Sequence, residues 1–115
     1  MSSWKTHARW GAVVWAVVAA LEAIVAFLSV GLPPERLSVV FAVSALVSLL
    51  AAILLARAPS ASVLLAATVW AGLNLVLGLW DMPVGGQDLR IPFALLVGAA
   101  GLASYLAWRG RREQA

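Results

Sequence analysis

A chain of 115 residues with 63% hydrophobic and only 11% charged residues falls far short of the roughly 25% charge that a soluble domain carries, which excludes a water-facing globule. Four helices of about 20 apolar residues each, the length needed to cross a hydrocarbon core of about 30 Å, leave no room for a second domain. There is no cysteine, so disulfides, thiolate metal sites and cysteine nucleophiles are excluded. The net charge of +3 comes from basic residues set at the ends of apolar runs, a distribution that reads as membrane topology and not as nucleic-acid binding.

The first apolar run covers about residues 10–30 and is broken only by Glu22. Lys5 and Arg9 precede it as in a signal peptide, but the run is too long for a secretory apolar region, contains a carboxylate and is followed by further apolar runs. Gly31 to Arg36 (GLPPER) form a tight polar turn, because Pro33 and Pro34 remove backbone donors and stop the helix. The second run, about 37–56, is uncharged. Arg57 to Ser60 make the next break, with Pro59 and Ser60 suited to opening a third helix over about 61–80. That helix ends at Asp81, Pro83 and the Gly85-Gly86 pair. A fourth covers about 91–108, closed by Gly110 and the basic Arg109, Arg111 and Arg112. The predicted fold is an all-α membrane protein: one integral domain, an up-down-up-down bundle of four transmembrane helices whose short connections set consecutive helices side by side and antiparallel.

Lys and Arg are retained on the cytoplasmic side of a membrane. The N-terminal tail, the second connection and the C-terminal tail hold Lys5, Arg9, Arg57, Arg109, Arg111 and Arg112, whereas the other connections hold only Arg36 and Arg90. Six against two predicts a multi-pass protein of the bacterial inner membrane with both termini cytoplasmic. Trp10, Trp80 and Trp108 fall at predicted helix ends, where indole rings settle at the headgroup level. Asp81, Asp88 and Arg90 belong to the outward loop, as solvated charges or, on a sharper reading, as a point of ion capture.

The two halves show a weak repeat, each a Trp-led helix, a Gly/Pro loop with an acid and an arginine, and a second apolar helix; Trp10 matches Trp70, and Phe41-Ala42 matches Phe93-Ala94. Two duplicated helical hairpins of parallel orientation would produce this pattern. The stretch Leu73-Asn74-Leu75-Val76-Leu77-Gly78-Leu79-Trp80, with Pro83, a polar loop, Leu95-Leu96-Val97-Gly98 and a closing Trp108, resembles one unit of the SPW-repeat family of small bacterial membrane proteins. Asp81-Met82-Pro83-Val84 stands where that family has its Ser-Pro-Trp, and the first hairpin matches poorly. The resemblance implies a two-helix hairpin architecture and carries no chemistry.

Glu22 is the most informative residue. A carboxylate about 12 positions into such a span costs several kcal/mol unless it is protonated, paired or hydrated, so it should face the bundle. At 1.5 Å per residue it lies about 18 Å from the cytoplasmic end of its helix, with Ser44 at about 18 Å and Asn74 at about 20 Å on theirs, which predicts one polar layer. Trp15 shares the face of Glu22 at seven residues' spacing, and Trp70 that of Asn74 at four. Two readings stay open, beside contact of Glu22 with an unseen partner. Glu22 is interhelical glue hydrogen-bonded to Asn74 or a serine, worth about 1 kcal/mol; or it is a proton-sensitive carboxylate in an aromatic-lined cavity able to hold an organic cation. The first-helix carboxylate and Trp70-Ala71-Gly72 also resemble the small multidrug resistance transporters, which implies Glu22 as an exchangeable carboxylate. Val25 replaces the small residue expected three positions later, and the basic residue expected later in the helix of that carboxylate is missing.

Helices in lipid associate through small residues that permit close approach. Ser44, Ser48 and Ala52 form one such stripe on the second helix; Gly98, Gly101 and Tyr105 form another on the fourth, as internal seams or, for the Gly98 face, a dimer contact. No catalytic set, no metal cluster, no phosphate-binding loop and no cofactor site can be assembled, and the single histidine, His7, lies in the N-terminal tail. The expectation is a non-enzymatic membrane module acting through helix contacts, as an accessory or scaffold component or a homo-oligomer, with the lipid bilayer and other membrane subunits or itself as partners. The alternative is a proton-coupled transporter of a small organic cation built on Glu22.

Overall fold

The computed structural model describes residues 3–28, 30–31, 36–81, 83–84, 87–88 and 90–114, with side chains for 4–28, 30–31, 38–76 and 91–113. Four helices make up the fold: α1 Ser3–Leu28, α2 Arg36–Arg57, α3 Ala61–Asp81 and α4 Arg90–Gln114. Between α3 and α4, Pro83–Val84 (β1) and Gln87–Asp88 (β2) pair antiparallel, Pro83 with Asp88 and Val84 with Gln87. The centre of the polar turn at 32–35 and the Gly85-Gly86 pair lie outside the described residues, as do the side chains of Trp80, Asp81, Asp88 and Arg90.

Trp4–Leu28, Ser38–Arg57 and Ile91–Glu113 are each long and apolar enough to cross a membrane, and α3 is apolar over its described part, Ala61–Val76. The surface is inverted relative to a soluble protein. Phe27, Val39, Leu46, Val76, Ile91 and Leu95 point outwards, while Glu22, Ser44, Ser48, Asn74 and Ser104 are buried. A polar interior under an apolar coat is stable only where the surrounding solvent is itself apolar. The chain is a membrane protein.

The helix ends differ from expectation at both termini. α1 begins at Ser3 and α4 runs to Gln114, so the N-terminal segment with His7 and the basic C-terminal segment are helical. The reason is packing: Trp4 and Ala8 extend the buried stripe of α1 by two turns, and Trp4 rests on Gly110, where a Cβ would come within 2.9 Å of Trp4 Cβ. Gly110, expected to close the last helix, is instead the gap that admits the backbone and Cβ of Trp4. The Arg111 guanidinium stacks 5.2 Å from the centroid of the same ring, and Lys5 lies 5.9 Å from it. The N-terminus of α1 thus meets the C-terminus of α4. Arg111 also donates to the Pro59 carbonyl at 3.4 Å, and Ser38 at the start of α2 donates to Ala26 O near the end of α1 at 3.0 Å. These contacts make neighbouring helices antiparallel and bring both termini to one end.

Gly31 carries φ +78° just beyond α1, a left-handed conformation that glycine adopts at no steric cost. At the opposite end Ser60 caps α3, its hydroxyl accepting the Val63 N–H at 3.2 Å.

α1 packs closely on α2 and α4, and α4 on α3, whereas α2 and α3 touch sparsely. Consecutive helices are therefore not equally paired. Small residues explain the tight seams. Gly11 of α1 would place a Cβ 3.4 Å from Leu55 and 3.6 Å from Ala103, and Ala100, Ser104 and Ala107 face inwards on α4. Leu50, Leu54, Val63 and Trp70 face each other across α2 and α3 and bound an apolar cleft of about 330 Å³. Phe41 and Phe93 meet edge to face in the core, centroids 6.4 Å apart at 85°.

The expected α4 stripe is corrected in part. Gly101 is a true seam residue, since a Cβ there would lie 2.7 Å from Ala71 Cβ of α3, but Gly98 has open space beside it. Tyr105 is largely exposed and leans on Trp108 of its own helix, centroids 6.1 Å apart. The buried line of α4 runs through Phe93, Val97, Ala100, Ser104 and Ala107, one residue out of register with the stripe read from glycines and tyrosine.

Candidate polar site in the membrane interior

α1 buries Trp15, Val18, Glu22 and Val25 along one face, successive steps of three and four residues that place side chains over one another on a helix. Glu22 is fully buried and points at α2. There Ser48 Oγ donates to Glu22 Oε1 at 2.6 Å and accepts from the Trp70 indole N–H of α3 at 3.1 Å. One hydroxyl thereby ties three helices together, using its donor and a lone pair. Ser44, one turn away on α2, is buried beside the same carboxyl. Asn74 donates from Nδ2 to the carbonyl of Trp70 at 2.9 Å, a bond back to its own helix four residues earlier.

Glu22, Ser48 and Trp70 all sit near the middle of their apolar runs, within about 3 Å of the midpoint at 1.5 Å per residue. A hydrogen bond at that depth has no water competing for its partners. Two acceptors remain: Glu22 Oε2 and Asn74 Oδ1 are buried without a hydrogen-bond partner. Buried unpaired polar atoms cost about 1–3 kcal/mol each, so this layer is satisfied on one side and open to a further donor on the other.

The expected constellation is therefore assembled in part. Ser44 lies beside Glu22, as their shared depth predicts; of the two partners left open for Glu22, a serine or Asn74, it is a serine, Ser48, that donates to it, while Asn74 turns back on α3. Ser48, expected as a packing residue, is the hub of the layer. Trp15 separates from the layer: its indole N–H donates to Ser104 Oγ of α4 at 3.1 Å, and Ser104 in turn donates to Ala100 O at 2.8 Å. Trp15 and Glu22 share a face of α1, but seven residues put them about 10 Å apart along the axis, and α1 lies between two neighbours. Trp15 consequently serves the α1/α4 seam. Ser104 was not singled out by sequence reasoning, although its place three residues after Gly101 on the helix that bears the small residues was a usable signal.

The cleft between α2 and α3 is lined by Val47, Leu50, Ala51, Leu54, Ser62, Val63, Ala66, Ala67 and Trp70. Glu22 is not among them. Gly72, the third residue of the Trp70-Ala71-Gly72 pattern, faces open space. Among the described residues no group of three His, Cys, Asp or Glu side chains is placed to hold a metal ion. The bundle and its buried carboxyl define a class, the small helical membrane protein with an intramembrane polar layer. Beyond that class, comparison adds nothing: no protein-family model, no curated protein and no solved structure matches the chain.

Proposed function

We propose that the chain is a non-enzymatic module of the bacterial inner membrane that acts through helix contacts, as an accessory or scaffold subunit or as a homo-oligomer, with both termini cytoplasmic. The enclosure of Glu22 supports this reading most. Glu22, the carboxyl at midplane depth, is hydrogen-bonded to Ser48, linked onward to Trp70, and is not part of the lining of the α2/α3 cleft, which is how a polar side chain acts when it holds helices together. The excess of basic residues at the end where both termini meet supports the orientation. The outward face of Ile91, Leu95 and Leu102 on α4 offers an apolar surface to another helix.

A second reading, proton-coupled transport of a small organic cation, is favoured by Glu22 Oε2 and Asn74 Oδ1, two buried acceptors with no donor. Titration of the purified protein with tetraphenylphosphonium across pH 5–9, in wild type and Glu22→Gln, separates the two. The helix-contact reading expects no binding that depends on Glu22. Saturable binding that strengthens as pH rises, as proton release and cation binding compete at one carboxylate, and that disappears in the Gln variant would replace it with transport.

A further inference from the structure

The cleft between α2 and α3 is apolar, opens sideways, and stops at a defined depth. Its lining residues on α2, Val47, Leu50, Ala51 and Leu54, follow i, i+3, i+4, i+7 spacing, and Arg57, three residues beyond Leu54, continues the line at the end of the helix. Arg57 is exposed. On α3 the lining begins at Ser62 and ends at Trp70, a rise of about 12 Å at 1.5 Å per residue. The cleft thus runs from the basic end of the bundle to the middle of the apolar span, the depth of one leaflet of a core about 30 Å thick.

The cleft offers about 330 Å³ along about 12 Å of helix rise, an elongated apolar space of the shape a single hydrocarbon chain fills. Charge selects the headgroup, because the mouth carries Arg57, with Arg111 on the neighbouring Pro59 carbonyl, and no acidic side chain lines it.

We propose that the α2/α3 cleft is a binding site for one acyl chain of an anionic glycerophospholipid, with the phosphate on Arg57 at the mouth and the chain end against Trp70. The site goes beyond the role proposed for the protein: it requires a bilayer, and neither transport nor a protein partner. Occupancy also completes a seam that the polypeptide leaves unfilled between α2 and α3. The chain end lies against the same indole whose N–H is held by Ser48, so the lipid buttresses the polar layer from its lipid-facing side.

Native mass spectrometry of the protein in detergent, offered phosphatidylglycerol or phosphatidylcholine with identical chains, tests headgroup and chain separately. One retained phosphatidylglycerol per chain is expected, with phosphatidylcholine held about fivefold more weakly, the effect of one guanidinium at an anionic headgroup. Arg57→Gln should abolish that preference while leaving chain binding. Ala66→Phe, which places a ring in the cleft from an exposed position, should abolish retention of both lipids; an unchanged helical circular dichroism melt shows that the variant is folded. Brominated acyl chains should quench tryptophan emission in wild type, and less in Trp70→Phe. Equal retention of the two lipids in wild type, retention untouched by Ala66→Phe, or a dimer that excludes lipid from the cleft would overturn the proposal.

Discussion

At Ser48 a single hydroxyl carries two hydrogen bonds between helices, and its replacement is the sharpest probe of the buried layer. Ser48→Ala leaves Glu22 Oε1 and the Trp70 indole N–H without their partners, and each orphaned buried group costs about 1–3 kcal/mol. Glu22→Gln keeps an oxygen to accept from Ser48, so it should change stability by less than about 1 kcal/mol. Unfolding of the two variants in mixed micelles should rank Ser48→Ala clearly below Glu22→Gln. The reverse order would mean that the charge of Glu22, and not its hydrogen bond, holds the helices. Trp15→Phe should lose only the bond to Ser104 and keep the core packing, a cost of about 1 kcal/mol. Ser104 retains its bond to Ala100 O, so no orphan is created on that side.

On the scale of the helices, the seams are set by where a backbone can come close. Gly101 has Ala71 opposite it at a distance that no added Cβ tolerates without movement, 2.7 Å. Gly101→Ile should destabilise the bundle by about 1–3 kcal/mol through overpacking, whereas Leu102→Ile, on an exposed position, should be nearly neutral. Gly98→Ile is the informative control. Beside Gly98 there is open space, so its thermal midpoint in detergent should follow Leu102→Ile; a loss equal to that of Gly101→Ile would show that the Gly98 face meets a second molecule. The same reasoning covers the ends: Gly110→Ala presses on Trp4 Cβ at 2.9 Å and should loosen the first turns of α1 more than the transmembrane part. Hydrogen exchange at residues 4–9, faster in that variant than in wild type, checks it.

For the whole molecule, both termini lie at one end of the bundle, and which side of the membrane they face is a separate matter of charge. Single cysteines are clean reporters because the chain has none of its own. Probes at residues 3 and 114 should be labelled from the cytoplasm, and probes at 35 and 87 from outside. Termini on opposite sides would break the four-helix arrangement. The two seams between the hairpins also differ in closure, although Phe41 and Phe93, which the repeat aligns with each other, meet in the core at 6.4 Å. α1 and α4 close tightly while α2 and α3 do not, because alanines and glycine line the first seam and leucine, valine and tryptophan the second. The bundle is therefore asymmetric, with the α2/α3 seam sparsely packed.

The sequence by itself determined the quantities that depend on composition and spacing. Four apolar runs, the breaks between them, the inward direction of Glu22 and the depth shared by Glu22, Ser44 and Asn74 follow from a 1.5 Å rise and from the cost of a carboxylate in hydrocarbon. The span ends at Ala61 and Asp81 needed only the residues that break helices. Tertiary structure alone decided which neighbour each face meets. A depth places Glu22, Ser44 and Asn74 in one slab but does not rotate them, and a residue's rotation differs by 100° for each step along a helix, so only the tertiary structure makes Ser48 the partner of the carboxyl and sends Trp15 to Ser104. The same limit hid the helical termini. Gly110 reads as a stop in a linear chain, and only the arrival of Trp4 from more than a hundred residues away makes it a point of contact, because the energy of a helix end comes from what packs on it and not from its own propensity.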